Sequence, residues 1–210
     1  MSIKVVGIIG SPRKGMNTDT LVSKALEGAK SVGAEIEKIY LNDLKMIPCQ
    51  SCAKFPAPDY CFFHDGMDKI YQVLESSDAL VIGTPAYFGT LSAQLKIVID
   101  RSNCLAEMIA LPNGRLKFKS RLEKRKKGIF IWVANLSTNP EHALVSIRLW
   151  SKYFANVELL DTLVVTESDV GEGAKNNKEC LKQAYNSGLL LGNGQNFQSI
   201  IGGGGESKNI

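Results

Sequence analysis

Lys4-Val5-Val6-Gly7-Ile8-Ile9-Gly10-Ser11-Pro12-Arg13-Lys14-Gly15-Met16-Asn17-Thr18 decides the fold. The first six residues are almost continuously apolar and β-branched, as in a strand covered on both faces. A polar turn follows, and then Leu21, Val22, Ala25, Leu26 and Ala29 recur at helical spacing until Gly33. The same strand–turn–helix unit repeats down the chain. Further strands are predicted at Ala34–Leu41, Ala79–Gly83, Gly128–Ala134 and Val157–Val165. Helical stripes follow at Met67/Ile70/Tyr71/Leu74, at Leu95/Val98/Ile99 behind a Ser92 cap, and at Ala143/Leu144/Ile147/Trp150/Phe154 with Pro140 at the first helical position. A last helix is expected over about 174–191. Five alternations of this kind give an α/β fold: a doubly wound parallel sheet, order 2-1-3-4-5, in three α/β/α layers. One domain is expected over residues 1–201, with the glycine-rich 202–210 as a loose tail.

In such sheets a ligand sits at the carboxyl ends of the strands, where the strand order reverses. The loop Gly10–Thr18 lies at one of those ends. It offers two glycines, the hydroxyls of Ser11 and Thr18, the amide of Asn17, two cations and a helix start, all suited to a phosphate. Spacing excludes two commoner loops. Gly-x-Gly-x-x-Gly is absent, and Met16-Asn17 stands where a P-loop needs Lys-Ser/Thr. A monophosphate ester therefore fits better than a dinucleotide or a triphosphate. At the neighbouring strand end, Pro85-Ala86-Tyr87-Phe88 places aromatic rings where a flat ligand could lie.

Gly10-Ser11-Pro12-Arg13-Lys14 with Asn17-Thr18, then Gly83-Thr84-Pro85-x-Tyr87-Phe88, then Leu95-Lys96-x3-Asp100-Arg101, resemble the NADPH-dependent FMN reductase and iron–sulfur flavoprotein family, over about residues 3–101. The resemblance implies a flavodoxin-like fold with bound FMN, and homodimers or homotetramers built around the FMN sites. It implies phosphate contacts from Ser11, Arg13, Asn17 and Thr18. Ring and ribityl contacts would come from Pro85, Ala86, Tyr87 and Phe88, and a third contact loop, including Asn135 and Ser137, would fall at 135–138. The function expected is an oxidoreductase that passes electrons from NAD(P)H through flavin to a small molecule or a protein. The alternative is an FMN electron carrier without nicotinamide activity. Neither needs an acid–base side chain, so no catalytic residue is named; Asp100 and Arg101 are expected to form a structural or interface ion pair.

Five cysteines are present, and three of them lie close together as Cys49-x2-Cys52-x8-Cys61. The iron–sulfur members resembled here carry four close cysteines in this loop, one of them three residues after the second; here that position is Phe55. Three readings stay open. The thiols are free, or Cys49, Cys52, Cys61 and His64 hold zinc or a cluster with one non-cysteine ligand, or Cys49 and Cys52 form a redox pair.

The net charge is +4, but residues 115–127 hold eight bases against the single acid Glu123. That run is either a solvated loop or an attraction for an anion, such as the 2′-phosphate of NADPH or an acidic redox protein like ferredoxin. With only Phe118 among the bases, nucleic acid is a poor fit. No apolar run approaches the roughly 18 residues needed to span a bilayer. The first strand also follows Met1 too closely for an export signal, so a cytoplasmic, membrane-free protein is expected.

Overall fold

The computed structural model describes residues 2–52, 59–136, 139–166 and 173–193. Five parallel strands form the central sheet: β1 (Lys4–Ile9), β2 (Glu35–Tyr40), β3 (Ala79–Pro85), β6 (Lys126–Val133) and β7 (Val157–Val165). Their spatial order is β2-β1-β3-β6-β7. This is the expected 2-1-3-4-5 once a separate hairpin, β4 (Ala106–Ala110) with β5 (Leu116–Ser120), is set aside. The helices are α1 (Asn17–Ser31), α2 (Met67–Ser76), α3 (Ala93–Arg101), α4 (Glu141–Trp150), α5 (Gly173–Asn176) and α6 (Lys178–Gly192).

Two cores flank the sheet. One face packs on α2, α3 and α4 through Ile8, Ile70, Leu74, Val98, Trp132 and Trp150. The other packs on α1 and α6 through Val5, Ile9, Leu21, Val22, Ala184 and Leu191. Alternate residues of β1 and β3 feed opposite cores, which is why those strands read as unbroken apolar runs. Helices α1 and α6 cross closely because Gly28 lies against the Tyr185 backbone and Gly188 against the Ala25 backbone. A Cβ at Gly188 would lie 1.8 Å from the carbonyl oxygen of Ala25, so any larger residue there forces the helices apart.

Several expectations shift in detail. Strand β2 is one residue shorter at each end. Strand β6 starts two residues early, because the Lys126 N–H bonds the Asn156 carbonyl and the side chain is fully buried. That burial lowers the lysine pKa to about 8. Pro140 caps α4 instead of occupying its first helical position. The last helix is divided at Asn177, whose side-chain oxygen accepts from the Cys180 N–H. A turn of π-helix, Ser151–Ala155, continues α4, and Asn156 then takes a left-handed φ of 52° to enter β7.

The segment expected as one long basic loop is an antiparallel hairpin, and it sorts the charge run. Lys124 pairs with Asp78 at 2.6 Å and Arg125 with Glu158 at 3.1 Å. Arg121 donates to the Cys104 carbonyl and covers the Tyr60 ring. Lys117 and Lys119 instead line an open groove with Lys152 and Tyr153, beside the amino-terminal end of β7. Among the described residues, no helix is long and apolar enough to cross a membrane.

Candidate functional site

The carboxyl ends of β1, β3 and β6 surround a cleft of about 370 Å³. Nine of the ten expected cofactor contacts line it: Ser11, Arg13, Asn17 and Thr18; Pro85, Ala86, Tyr87 and Phe88; and Asn135. Ser137 lies outside the described residues. Met16, Gly89, Val133, Ala134 and Leu136 complete the lining. The last three were within reach of sequence reasoning, since strand order alone sets the end of β6 beside Pro85.

The first loop is held from beneath by Asp19. This carboxylate, on the first turn of α1, is buried and accepts from the Gly15 N–H (2.6 Å), Lys38 (2.9 Å), Tyr40 (2.9 Å) and Ser23 (3.1 Å). Burial opposes its ionisation, but the Gly15 N–H, Lys38 and Tyr40 outweigh that and hold the carboxyl below its ordinary pKa. The bond to Gly15 fixes a residue whose φ of 72° suits glycine. The two loop cations differ in role. Lys14 is tied to Asp43 at 2.6 Å. The Arg13 guanidinium is exposed on the cleft and makes no ion pair among the described residues. Helix α1 starts at the cleft and has no side-chain N-cap bond among the described residues, so its first N–H groups are donors suited to an anion there. Asn17 gives its amide oxygen to the Ala174 N–H at 2.9 Å, and its NH2 group makes no hydrogen bond among the described residues.

The second loop is stacked on the sheet end by the Ala86 N–H, which donates to the Val133 carbonyl at 2.7 Å. Thr84 Oγ1 accepts from the Ser92 N–H, and Ser92 Oγ caps α3 as expected by accepting from Leu95. Tyr87 and Thr90 exchange two backbone bonds of 3.1 Å around Phe88 and Gly89. Both central residues have positive φ, 50° and 71°, the signature of a type I′ turn. Phe88 occupies a position that favours Asn or Gly, and its ring is fully exposed at the rim of the cleft. The cleft thus joins an anion-binding floor to an apolar, aromatic wall. That donor set fits a phosphate ester carrying a flat ring system, such as FMN.

Residues 3–133 match the NADPH-dependent FMN reductase family, more than half of the chain. The chain belongs to the NADPH-dependent FMN reductase family. Within this family setting, an iron–sulfur flavoprotein of Methanosarcina thermophila is 38% identical over 100 residues, 48% of this chain and 52% of that protein. An iron–sulfur flavoprotein of Methanocaldococcus jannaschii is 41% identical over 103 residues, 49% and 53% of the two chains. The chain thus spans about half the length of the curated relatives it matches. Among solved structures, a flavone reductase superposes with a TM-score of 0.69 at 20% identity, over 91% of this chain and 62% of the other. An NAD(P)H:quinone oxidoreductase of Methanothermobacter marburgensis superposes with a TM-score of 0.61 at 14% identity, over 91% and 98%. These two likenesses show the flavodoxin-like fold.

The structure does not bring the expected metal ligands together. Cys49 is exposed in a groove with Lys96, Ile99 and Asp100 of α3. Cys61 is half-buried and packs against the core, within electrostatic reach of Arg101, Tyr71 and Cys104. His64 is exposed and turns its Nδ1 to Asp68 at 3.3 Å. Among the described residues, no group of three or more His, Cys, Asp or Glu side chains is placed to hold a metal ion. The expected Asp100–Arg101 pair is also redistributed. Asp100 pairs with Lys96, one helical turn back, at 2.6 Å, while the buried Arg101 reaches Asp65 at 2.7 Å.

Proposed function

We propose that this chain is an FMN-dependent oxidoreductase that draws electrons from NAD(P)H and passes them to a small-molecule or protein acceptor. One observation carries the reading: two loops far apart in sequence, one phosphate-binding and one aromatic, meet with the end of β6 on a single cleft at the point where the strand order reverses. Ser11, Arg13, Asn17, Thr18 and the first N–H groups of α1 bind the phosphate. The Pro85–Gly89 turn and Asn135 orient the ring and shield one side of it. FMN, when bound, supplies hydride acceptance and electron return, so the protein's own task is binding, orientation and exclusion of water.

The other side of the ring position opens between Phe88 and Leu136, both strongly exposed. That opening suits a nicotinamide, an acceptor, or a second copy of the chain in the dimers or tetramers the family suggests. The hairpin lysines Lys117 and Lys119, which make no ion pair among the described residues, do not serve a nicotinamide bound in the same chain's cleft. They lie near the opposite end of β6 from Val133, a separation of roughly 23 Å at ~3.3 Å per residue. Mixing the flavin-loaded protein anaerobically with NADPH tests the reading: the flavin's visible absorbance is expected to bleach. Persistent colour sinks the reductase reading and leaves an electron carrier.

A further inference from the structure

The relatives' iron–sulfur cluster raises a question that the cysteine loop of this chain answers through its own chemistry. A four-iron cluster ordinarily takes four thiolates. The loop offers Cys49, Cys52 and Cys61, with Phe55 in the remaining place, and a phenyl ring cannot ligate iron. Two substitutes exist in the neighbourhood, and neither fits. His64 points to Asp68 from an exposed position. Cys104 is buried, and its sulfur is already engaged with the Tyr71 hydroxyl at 3.3 Å and the Arg101 carbonyl at 3.2 Å.

The same loop is closed by a protein-only device. The Arg101 guanidinium is 2% exposed. It donates to the carbonyls of Ile47 (2.9 Å) and Phe63 (3.0 Å) and to both oxygens of Asp65 (2.7 and 3.3 Å). Asp65 in turn accepts from the Ile47 and Met67 N–H groups, both at 2.9 Å. One buried cation thus ties the entry of the cysteine loop to its exit. A cluster bound by thiolates from both ends of the loop would do the same mechanical job.

We infer that this chain has no iron–sulfur cluster: its cysteine loop is closed by the Arg101–Asp65 clasp, and Phe55 is the residue that denies a cluster its fourth ligand. The inference rests on the donor set and the clasp, not on nicotinamide activity, so its readouts are separate from those of the flavin reading.

The test is anaerobic incubation of the full-length protein with ferrous iron and sulfide, followed by desalting and assay of iron, acid-labile sulfide and visible absorbance. The wild-type chain is expected to retain only a trace of iron, and Phe55→Cys close to four irons per chain with a broad cluster absorbance. Near-stoichiometric iron and sulfide in the wild type overturns the inference. No uptake by either chain overturns the role given to Phe55. In parallel, a chelator should leave the wild-type loop as resistant to limited proteolysis as before, whereas Asp65→Asn should make it several-fold more susceptible. A loop that the chelator opens in the wild type overturns the clasp.

Discussion

Arg101 and Asp65 stand 36 residues apart in sequence and meet at 2.7 Å, with the Arg101 side chain almost wholly buried. Burial opposes the charge on Asp65, but Arg101 and the Ile47 and Met67 N–H groups outweigh it and hold the carboxyl below its ordinary pKa. Breaking a buried pair by removing one charge leaves the other uncompensated. Asp65→Asn is expected to cost on the order of 3 kcal/mol of unfolding free energy at neutral pH. The pH dependence follows from the lowered pKa. The contribution is complete above the unfolded carboxyl value of about 3.9 and fades as pH falls through the lower folded value. Urea unfolding at neutral and acid pH should show wild type and Asp65→Asn converging in acid. A constant gap would remove Asp65 ionisation from the account.

Asp19 is a second carboxylate whose partners all belong to one task. It pins Gly15, and thereby the curve of the phosphate loop, while Lys38 and Tyr40 brace it from β2. Asp19→Asn keeps the shape but loses the charge-assisted bonds. FMN affinity is expected to fall about tenfold, or ~1.4 kcal/mol, although Asp19 is not among the residues lining the cleft. Fluorescence titration of the apoprotein measures this. Unchanged affinity would show that the loop holds its curve without the carboxylate.

How far the sequence was legible depended on the range of the interaction. Lys4–Ile9 declares itself because burial on both faces leaves no polar alternation, whereas Val157–Val165, a half-exposed edge strand, is marked only by its run of apolar residues; both strands have the bounds read from sequence. The cleft was legible because strand order forces the loops after β1 and β3 together. The hairpin had a readable signal, Asn113-Gly114 between two five-residue strands, with Gly114 at φ 76°, but Lys117 and Lys119 interleave with the apolar residues of the second strand and merge it into the basic run of 115–127. The Arg101–Asp65 clasp had no local signal. Arg101 sits beside Asp100 in the chain, and only the three-dimensional path of the cysteine loop shows that its partner lies on α2's approach. The π-helical turn at Ser151–Ala155 likewise arises from packing, with no residue pattern that announces it.

The two cations of the phosphate loop should separate cleanly. Arg13 faces the cleft and Lys14 is held on the surface by Asp43. Arg13→Ala is expected to weaken FMN binding by about 1.5–3 kcal/mol, the range of a hydrogen bond to a charged group. Lys14→Ala should cost less than about 1 kcal/mol, as for an exposed ion pair. Riboflavin, which lacks the phosphate, should bind wild type and Arg13→Ala alike. Equal losses for FMN and riboflavin would place Arg13 against the ring and not the phosphate.

Phe88 combines two unfavourable features: a left-handed backbone at φ 50° and a fully exposed ring. An L side chain in that region costs roughly 1–2 kcal/mol, so the turn stores strain to present the ring at the mouth of the cleft. Two substitutions separate conformation from contact. Phe88→Ala and Phe88→Gly both remove the ring, but only glycine relieves the strain. The glycine variant is therefore expected to be the more stable of the two by a few tenths to about 1 kcal/mol, after its greater unfolded-state entropy is subtracted. Both should slow flavin reduction by NADPH to a similar degree, because both lose the surface on which a planar ring would rest. Thermal unfolding of the apoproteins and anaerobic stopped-flow reduction give the two readouts independently. If alanine proves as stable as glycine, the turn is not strained at Phe88. If both variants reduce at the wild-type rate, the exposed ring serves a surface other than the cleft.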